Sequence, residues 1–156
     1  MAHLFAFWDG RRSYDAFMAG PHDGLVSAQN GTFEMLAVRL FERRLDVKVG
    51  FEPLFDDADL LRVALCKVRP DRADHFTLMQ QRVWNPAMAG SPGMLRGVFG
   101  QGTAADFLVL SMWDSATEHG KYRDGAVSRL SERAELDSDV LSVAGDVVDV
   151  VPAWTV

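Results

Sequence analysis

Residues 94–113 read Met-Leu-Arg-Gly-Val-Phe-Gly-Gln-Gly-Thr-Ala-Ala-Asp-Phe-Leu-Val-Leu-Ser-Met-Trp. Two runs rich in branched and aromatic residues, 94–100 and 107–113, flank a short loop containing glycine, which is the pattern of an antiparallel hairpin. Upstream, the apolar run 60–68 predicts a strand, and Pro70-Asp71 opens a helix in which Phe76, Met79, Val83 and Ala87 recur on one face. That helix should stop by Gly90. Downstream, a second helix is expected near 115–133, and residues 138–152 close the unit as an extended apolar strand. The order from residue 60 is β-α-β-β-α-β, a split β-α-β unit of the α+β class. Strand 107–113 places Phe107, Val109 and Trp113 on one face and Leu108, Leu110 and Met112 on the other, so both faces should be covered.

The chain also answers to itself. Phe7-Trp8-Asp9 begins a stretch through Tyr14, Phe17, Gly20 and Leu25, and Met112-Trp113-Asp114 begins one through His119, Tyr122, Gly125 and Leu130. The pairs Trp8 and Trp113, Asp9 and Asp114, Gly20 and Gly125, and Leu25 and Leu130 are each 105 positions apart. Such internal similarity constrains a whole fold. Residues 3–8 are therefore read as a strand, Asp9 and Asp114 as helix N-caps, and residues 10–28 as a helix broken near Gly20-Pro21. Residues 33–51 suit one long or two short strands. Residues 50–59, with the acidic run Asp56-Asp57-Ala58-Asp59, read as a linker. The expected division is a β-α-β half-repeat over 1–53 and a complete unit over 60–156.

Composition narrows the functional classes. Of 156 residues, 48% are hydrophobic and 24% charged, which suits a packed globular chain. Sixteen Lys and Arg against 22 Asp and Glu leave a formal charge of −6, the wrong sign for a nucleic-acid backbone binder. The single cysteine, Cys66, has no intramolecular partner for a disulfide, and one thiol among four scattered histidines is not a metal framework. The opening Met-Ala-His-Leu-Phe-Ala-Phe-Trp lacks a basic segment and a long apolar run, and no later run approaches the roughly 20 residues that span a bilayer. A soluble cytoplasmic protein with no membrane partner is expected.

Three features of residues 60–156 carry a family resemblance: Arg62-Val63-Ala64-Leu65 in the first strand, Ser91-Pro92-Gly93-Met94-Leu95-Arg96-Gly97 entering the second, and Phe107-Leu108-Val109-Leu110-Ser111-Met112-Trp113-Asp114-Ser115 leading into the second helix. These segments resemble the ferredoxin-like, dimeric α/β-barrel superfamily that includes antibiotic-biosynthesis monooxygenases. The stretch from Phe7-Trp8-Asp9 to His22-Asp23 is similar to an uncharacterised bacterial branch of it. The resemblance implies an antiparallel sheet that closes into a barrel, within the chain or across a homodimer, with the homodimer favoured. It also implies a small aromatic or polyketide-like substrate, oxygenated or cyclised without a cofactor.

A cofactor-independent oxygenase asks for a largely apolar pocket, a proton acceptor or donor, and room for oxygen. The residue types that suit this are Arg96, His119 and His75 as catalytic candidates and Trp84, Trp113 and Tyr122 as substrate-binding candidates, with Trp8, Tyr14 and His22 from the N-terminal stretch. His119 and Tyr122 lie three apart and so share a helix face. Arg96 is the first choice for orienting an anionic or enol substrate, because a strand arginine must face a pocket or reach an edge. Structural roles compete at each position: core packing for Trp113 and the Tyr122 ring, and a solvated position for His119 and His75. Two other functions stay open, a non-catalytic ligand-binding or stress-related barrel protein and a haem-binding or haem-degrading one. For the last, the resemblance would ask for an asparagine on the first strand, and neither Asn30 nor Asn85 is there. No glycine-rich phosphate loop or metal site is implied.

Overall fold

The computed structural model describes residues 3–20, 22, 24, 37–48, 50, 57–103 and 105–151. The chain divides into two compact units, Met1–Arg39 and Leu40–Val156.

In the first unit, helix α1 spans Arg11–Ala19. Gly10, not Asp9, holds the cap position; its carbonyl accepts from Ser13 and Tyr14, and no side chain caps the turn. The helix ends at Gly20, whose N–H donates to the Phe17 carbonyl, as expected where Gly-Pro removes a donor and forbids continuation. The expected extension to residue 28 falls largely outside the described residues. Residues 3–8 form no strand, and Leu4, Phe7 and Trp8 are exposed. A strand needs an edge to pair with, and here alternation alone does not supply one.

The second unit is built on one antiparallel sheet. Its strands are β1 (Glu42–Asp46), β2 (Leu60–Val68), β3 (Met94–Gln101), β4 (Asp106–Trp113) and β5 (Val140–Asp149), in the spatial order β1-β3-β4-β2-β5. Of the long or double strand expected over 33–51, only β1 is strand among the described residues, and it pairs with β3. The four strands from residue 60 onward match the expected order. The sheet is open among the described residues, with β1 and β5 at its edges, so these strands form no intrachain barrel.

Between β2 and β3 a 3-10 turn (Pro70–Arg72) leads into α2 (Ala73–Met79), a wider π-type turn (Gln80–Trp84) and α3 (Asn85–Ala89). The turn is held by buried amides: Gln80 Nε2 donates to Asn85 Oδ1 at 2.7 Å, and Asn85 Nδ2 donates to the Asp46 carbonyl at the end of β1 at 3.0 Å. Gly93 follows with φ +75, and a Cβ there would fall 2.5 Å from Asp114 Oδ1 and from Glu118 Cβ, so the Pro-Gly turn before β3 requires glycine.

After β4 comes α4 (Ala116–Arg133), then α5 (Leu136–Asp139). Ser115, not Asp114, caps α4 by accepting from the Glu118 N–H. Asp114 is displaced from that role because its N–H donates to the Gly93 carbonyl and its carboxylate accepts from the Ser115 hydroxyl.

Phe76 and Val83 on the first helical segment and Tyr122 and Leu130 on α4 share one core with Leu60, Ala64, Cys66, Val68, Phe99, Phe107, Val109 and Trp113 of the sheet. The register puts Leu60, Arg62, Ala64 and Cys66 opposite Trp113, Ser111, Val109 and Phe107, so these residues share the helix-facing side. The opposite side of β4 is also buried, with Leu110 and Met112 at 0% exposure. Both faces of that strand are covered, as its double apolar pattern requires.

Candidate functional site

The end of β4 and the first turns of α4 bring three aromatic rings together. Ser115 starts the helix just after the strand, so residues four and seven positions later return over the strand end. His119 stands edge-on to Trp113, with ring centroids 5.3 Å apart and planes at 69°. Tyr122 lies tilted on the same indole at 5.3 Å. Trp113 Nε1 donates to Ser111 Oγ at 3.0 Å, which satisfies the only polar atom of that buried side chain.

His119 is 4% exposed, and its Nε2 is buried with no hydrogen-bond partner among the described residues. Burial first, and then the Arg62 guanidinium, hold its pKa below the ordinary histidine value. The imidazole is therefore kept neutral near pH 7. Burial pushes the Tyr122 hydroxyl up to about 12 and the Cys66 thiol up to about 11, with Arg62 opposing in both cases. The Tyr122 hydroxyl therefore stays protonated near neutral pH, and Cys66 is an unreactive thiol.

Arg62 was not among the sequence candidates. It projects from β2 on the helix-facing side, directly opposite Ser111 on β4 and Val147 on β5, and makes no hydrogen bond or ion pair among the described residues. An arginine at an alternating position between Leu60 and Ala64 was the signal that could have found it.

The remaining candidates lie elsewhere. Arg96 is on the opposite side of the sheet, pairing with Met112, and its Nη2 reaches Asp57 Oδ2 at 2.7 Å. His75 is engaged with the fully buried Asp139, whose carboxylate accepts from Arg72 Nε at 2.7 Å and lies 2.8 Å from His75 Nδ1. Arg72 also reaches Glu135, so the four residues tie the start of α2 to α5. Trp84 is a partly buried ring packed against the core.

In the first unit, Trp8 meets Tyr14 edge-on at 5.8 Å and Phe17 tilted at 4.9 Å, and Phe17 meets His22 at 5.9 Å. Trp8, Tyr14 and Phe17 stand 105 positions before Trp113, His119 and Tyr122 and use the same sequence of edge and tilted contacts. Position 14 carries a tyrosine where position 119 carries the imidazole.

Among the described residues no cluster of three or more His, Cys, Asp or Glu side chains is arranged to hold a metal ion, and no helix is long and apolar enough to cross a membrane.

No protein-family model matches the chain, and no curated protein matches it in sequence. Solved structures do match its shape. A protein of Fusobacterium nucleatum provisionally named a monooxygenase superposes with a TM-score of 0.67 at 8% identity, over 92% of this chain and 71% of that one. A Lactobacillus acidophilus protein, also provisionally named a monooxygenase, gives 0.66 at 18% identity, over 92% of this chain and 66% of that one. A Caulobacter crescentus protein provisionally named an antibiotic biosynthesis monooxygenase gives 0.52 at 17% identity, over 61% of this chain and 92% of that one. The chain thus spans about two thirds of the first two proteins and shares with all three the ferredoxin-like α+β fold.

Proposed function

We propose that this protein is a small-molecule enzyme of the antibiotic-biosynthesis-monooxygenase type, oxygenating an electron-rich aromatic substrate without an added cofactor. The observation that carries this reading is the buried, unpartnered Nε2 of His119 beside the rings of Trp113 and Tyr122. An orphaned polar atom at such a depth costs about 1–3 kcal/mol, a cost that a bound hydroxyl or enol would relieve. The fold likeness to provisionally named monooxygenases points the same way.

The chemistry asked of the protein is modest. An anthrone-type substrate carries an acidic ring methylene; His119, neutral, accepts one proton and leaves a carbanion conjugated with the ring oxygen. The carbanion and dioxygen form a carbon–oxygen bond, giving a peroxide. Loss of the second methylene hydrogen with cleavage of the oxygen–oxygen bond leaves a carbonyl on the ring and releases water. One oxygen atom stays in the product and the substrate supplies all the electrons. Tyr122, held protonated, donates to the developing ring oxyanion.

The test is oxygen uptake by the purified protein with anthrone-type and hydroquinone substrates. Uptake in the wild type that falls by about 10²–10⁴ in His119→Phe supports the reading. Absence of uptake in the wild type overturns it, and binding of the same substrates without turnover would instead favour a ligand-binding barrel protein. A homodimer accompanies the proposal: β5 is an edge strand among the described residues and Leu141 at its start is 53% exposed, a border that a second copy would cover while leaving the Val143 and Val147 face free. Sedimentation equilibrium tests this, with a monomer at micromolar concentration as the contrary result.

A further inference from the structure

Arg62 is half-buried on β2, the strand next to edge strand β5, yet no carboxylate, carbonyl or hydroxyl among the described residues receives its guanidinium. Every other arginine described at comparable burial is paired: Arg72 with Asp139 and Glu135, and Arg96 with Asp57. A cation taken partly out of water without a partner is unfavourable, so the position is costly in the free protein.

The surroundings show where a partner would lie. One Arg62 Nη sits 3.9 Å from the point a Cβ would occupy on Gly145, so the guanidinium lies beside the one residue of β5 that has no side chain. Val143 and Val147 flank Gly145 at the next helix-facing positions of β5, and they are 45% and 50% exposed. On its other side the charge of Arg62 is felt by both His119 and Tyr122. Arg62 therefore stands between an open apolar strip with a glycine gap and the buried His119–Tyr122–Trp113 cluster. A flat ring laid over Gly145 between the two valines would place an attached acidic group on the guanidinium.

We propose that Arg62 is the substrate-anchoring residue of this site and that its ligand is a planar aromatic anion, a carboxylate or enolate, received by the guanidinium with the ring over Gly145, Val143 and Val147. This rests on the reading of the α4-to-sheet region as the place where substrate binds, and it goes further by naming the charge and shape of the ligand. A guanidinium gives paired, charge-assisted hydrogen bonds to a planar oxygen pair, which a neutral isostere does not reproduce.

The test is calorimetric binding of 2-naphthoate and of its neutral amide, 2-naphthamide, to the full chain. The wild type should prefer the carboxylate by about tenfold or more. Arg62→Met should remove that preference by weakening the carboxylate far more than the amide, Arg62→Lys should restore part of it, and Gly145→Val should weaken both probes by filling the gap. An unchanged far-ultraviolet spectrum and melting temperature confirm that each variant is folded. A wild type without preference for the carboxylate, or an Arg62→Met variant that keeps it, overturns the proposal. Charge-dependent binding without oxygen uptake removes the oxygenase reading alone; oxygen uptake that is indifferent to Arg62→Met removes the anchor alone.

Discussion

His119 points its ring edge-on at the indole of Trp113, 5.3 Å between centroids, and holds Nε2 in the interior without a hydrogen-bond partner among the described residues. Burial of that ring, and then the charge of Arg62, hold the imidazole neutral and make its proton affinity differ between the folded and unfolded chains.

Because the folded pKa of His119 lies below its unfolded value of 6.5, the unfolded chain binds the proton more readily as pH falls. Stability from this residue is complete above about pH 6.5 and is lost progressively below it. Urea unfolding of the wild type from pH 8 to 5 should show this decline, and His119→Phe should flatten it. An unchanged slope in the variant would show that other groups govern the acid limb.

The Gly93 turn is set by backbone and by space. Gly93→Ala places a Cβ against Asp114 and Glu118 at a positive φ and should destabilise by at least about 1–3 kcal/mol. Gly120→Ala, in α4 with no atom within 4 Å of the added Cβ, should instead stabilise by about 0.5–1 kcal/mol. Thermal melts of the two variants decide the matter, and equal effects would contradict it.

The Asp139 carboxylate is fully buried, accepts from Arg72 Nε and lies 2.8 Å from His75 Nδ1. Asp139→Asn removes the charge that draws these two together and should cost about 2–4 kcal/mol in denaturant unfolding. Glu135→Gln touches only the exposed end of the same cluster and should cost under about 1 kcal/mol. A reversed order would show that the clasp is held elsewhere.

Legibility in the sequence followed how local each signal is. The β2 run, the Phe76 and Val83 stripe and the hairpin over residues 94–113 were readable because side-chain period and turn residues lie within a few positions of each other. Arg96 faces away from the Trp113 cluster for a specific reason: a bulge between Met94 and Arg96 shifts the register, so Met94 opposes Trp113 while Arg96 opposes Met112 and turns to the other side. Plain alternation puts the two on one face, and no residue type there announces the extra position. Arg62 was passed over for the opposite reason, since its strand is regular and its role depends on what three distant segments leave unpaired around it. His119 reads as a polar residue between Glu118 and Lys121, and only the return of α4 over Trp113 buries it. The expected strand over residues 3–8 failed on a non-local requirement as well, because an apolar run becomes a strand only when an edge receives it.

In this reading, substrate binds where Arg62, His119, Tyr122 and Trp113 converge. Nuclear magnetic resonance on uniformly labelled protein titrated with 2-naphthoate tests it most directly, through the imidazole signals of His119 and the indole N–H of Trp113. Saturable shifts of both, lost in Arg62→Met, are the predicted result; saturable binding that leaves both resonances in place would contradict the account.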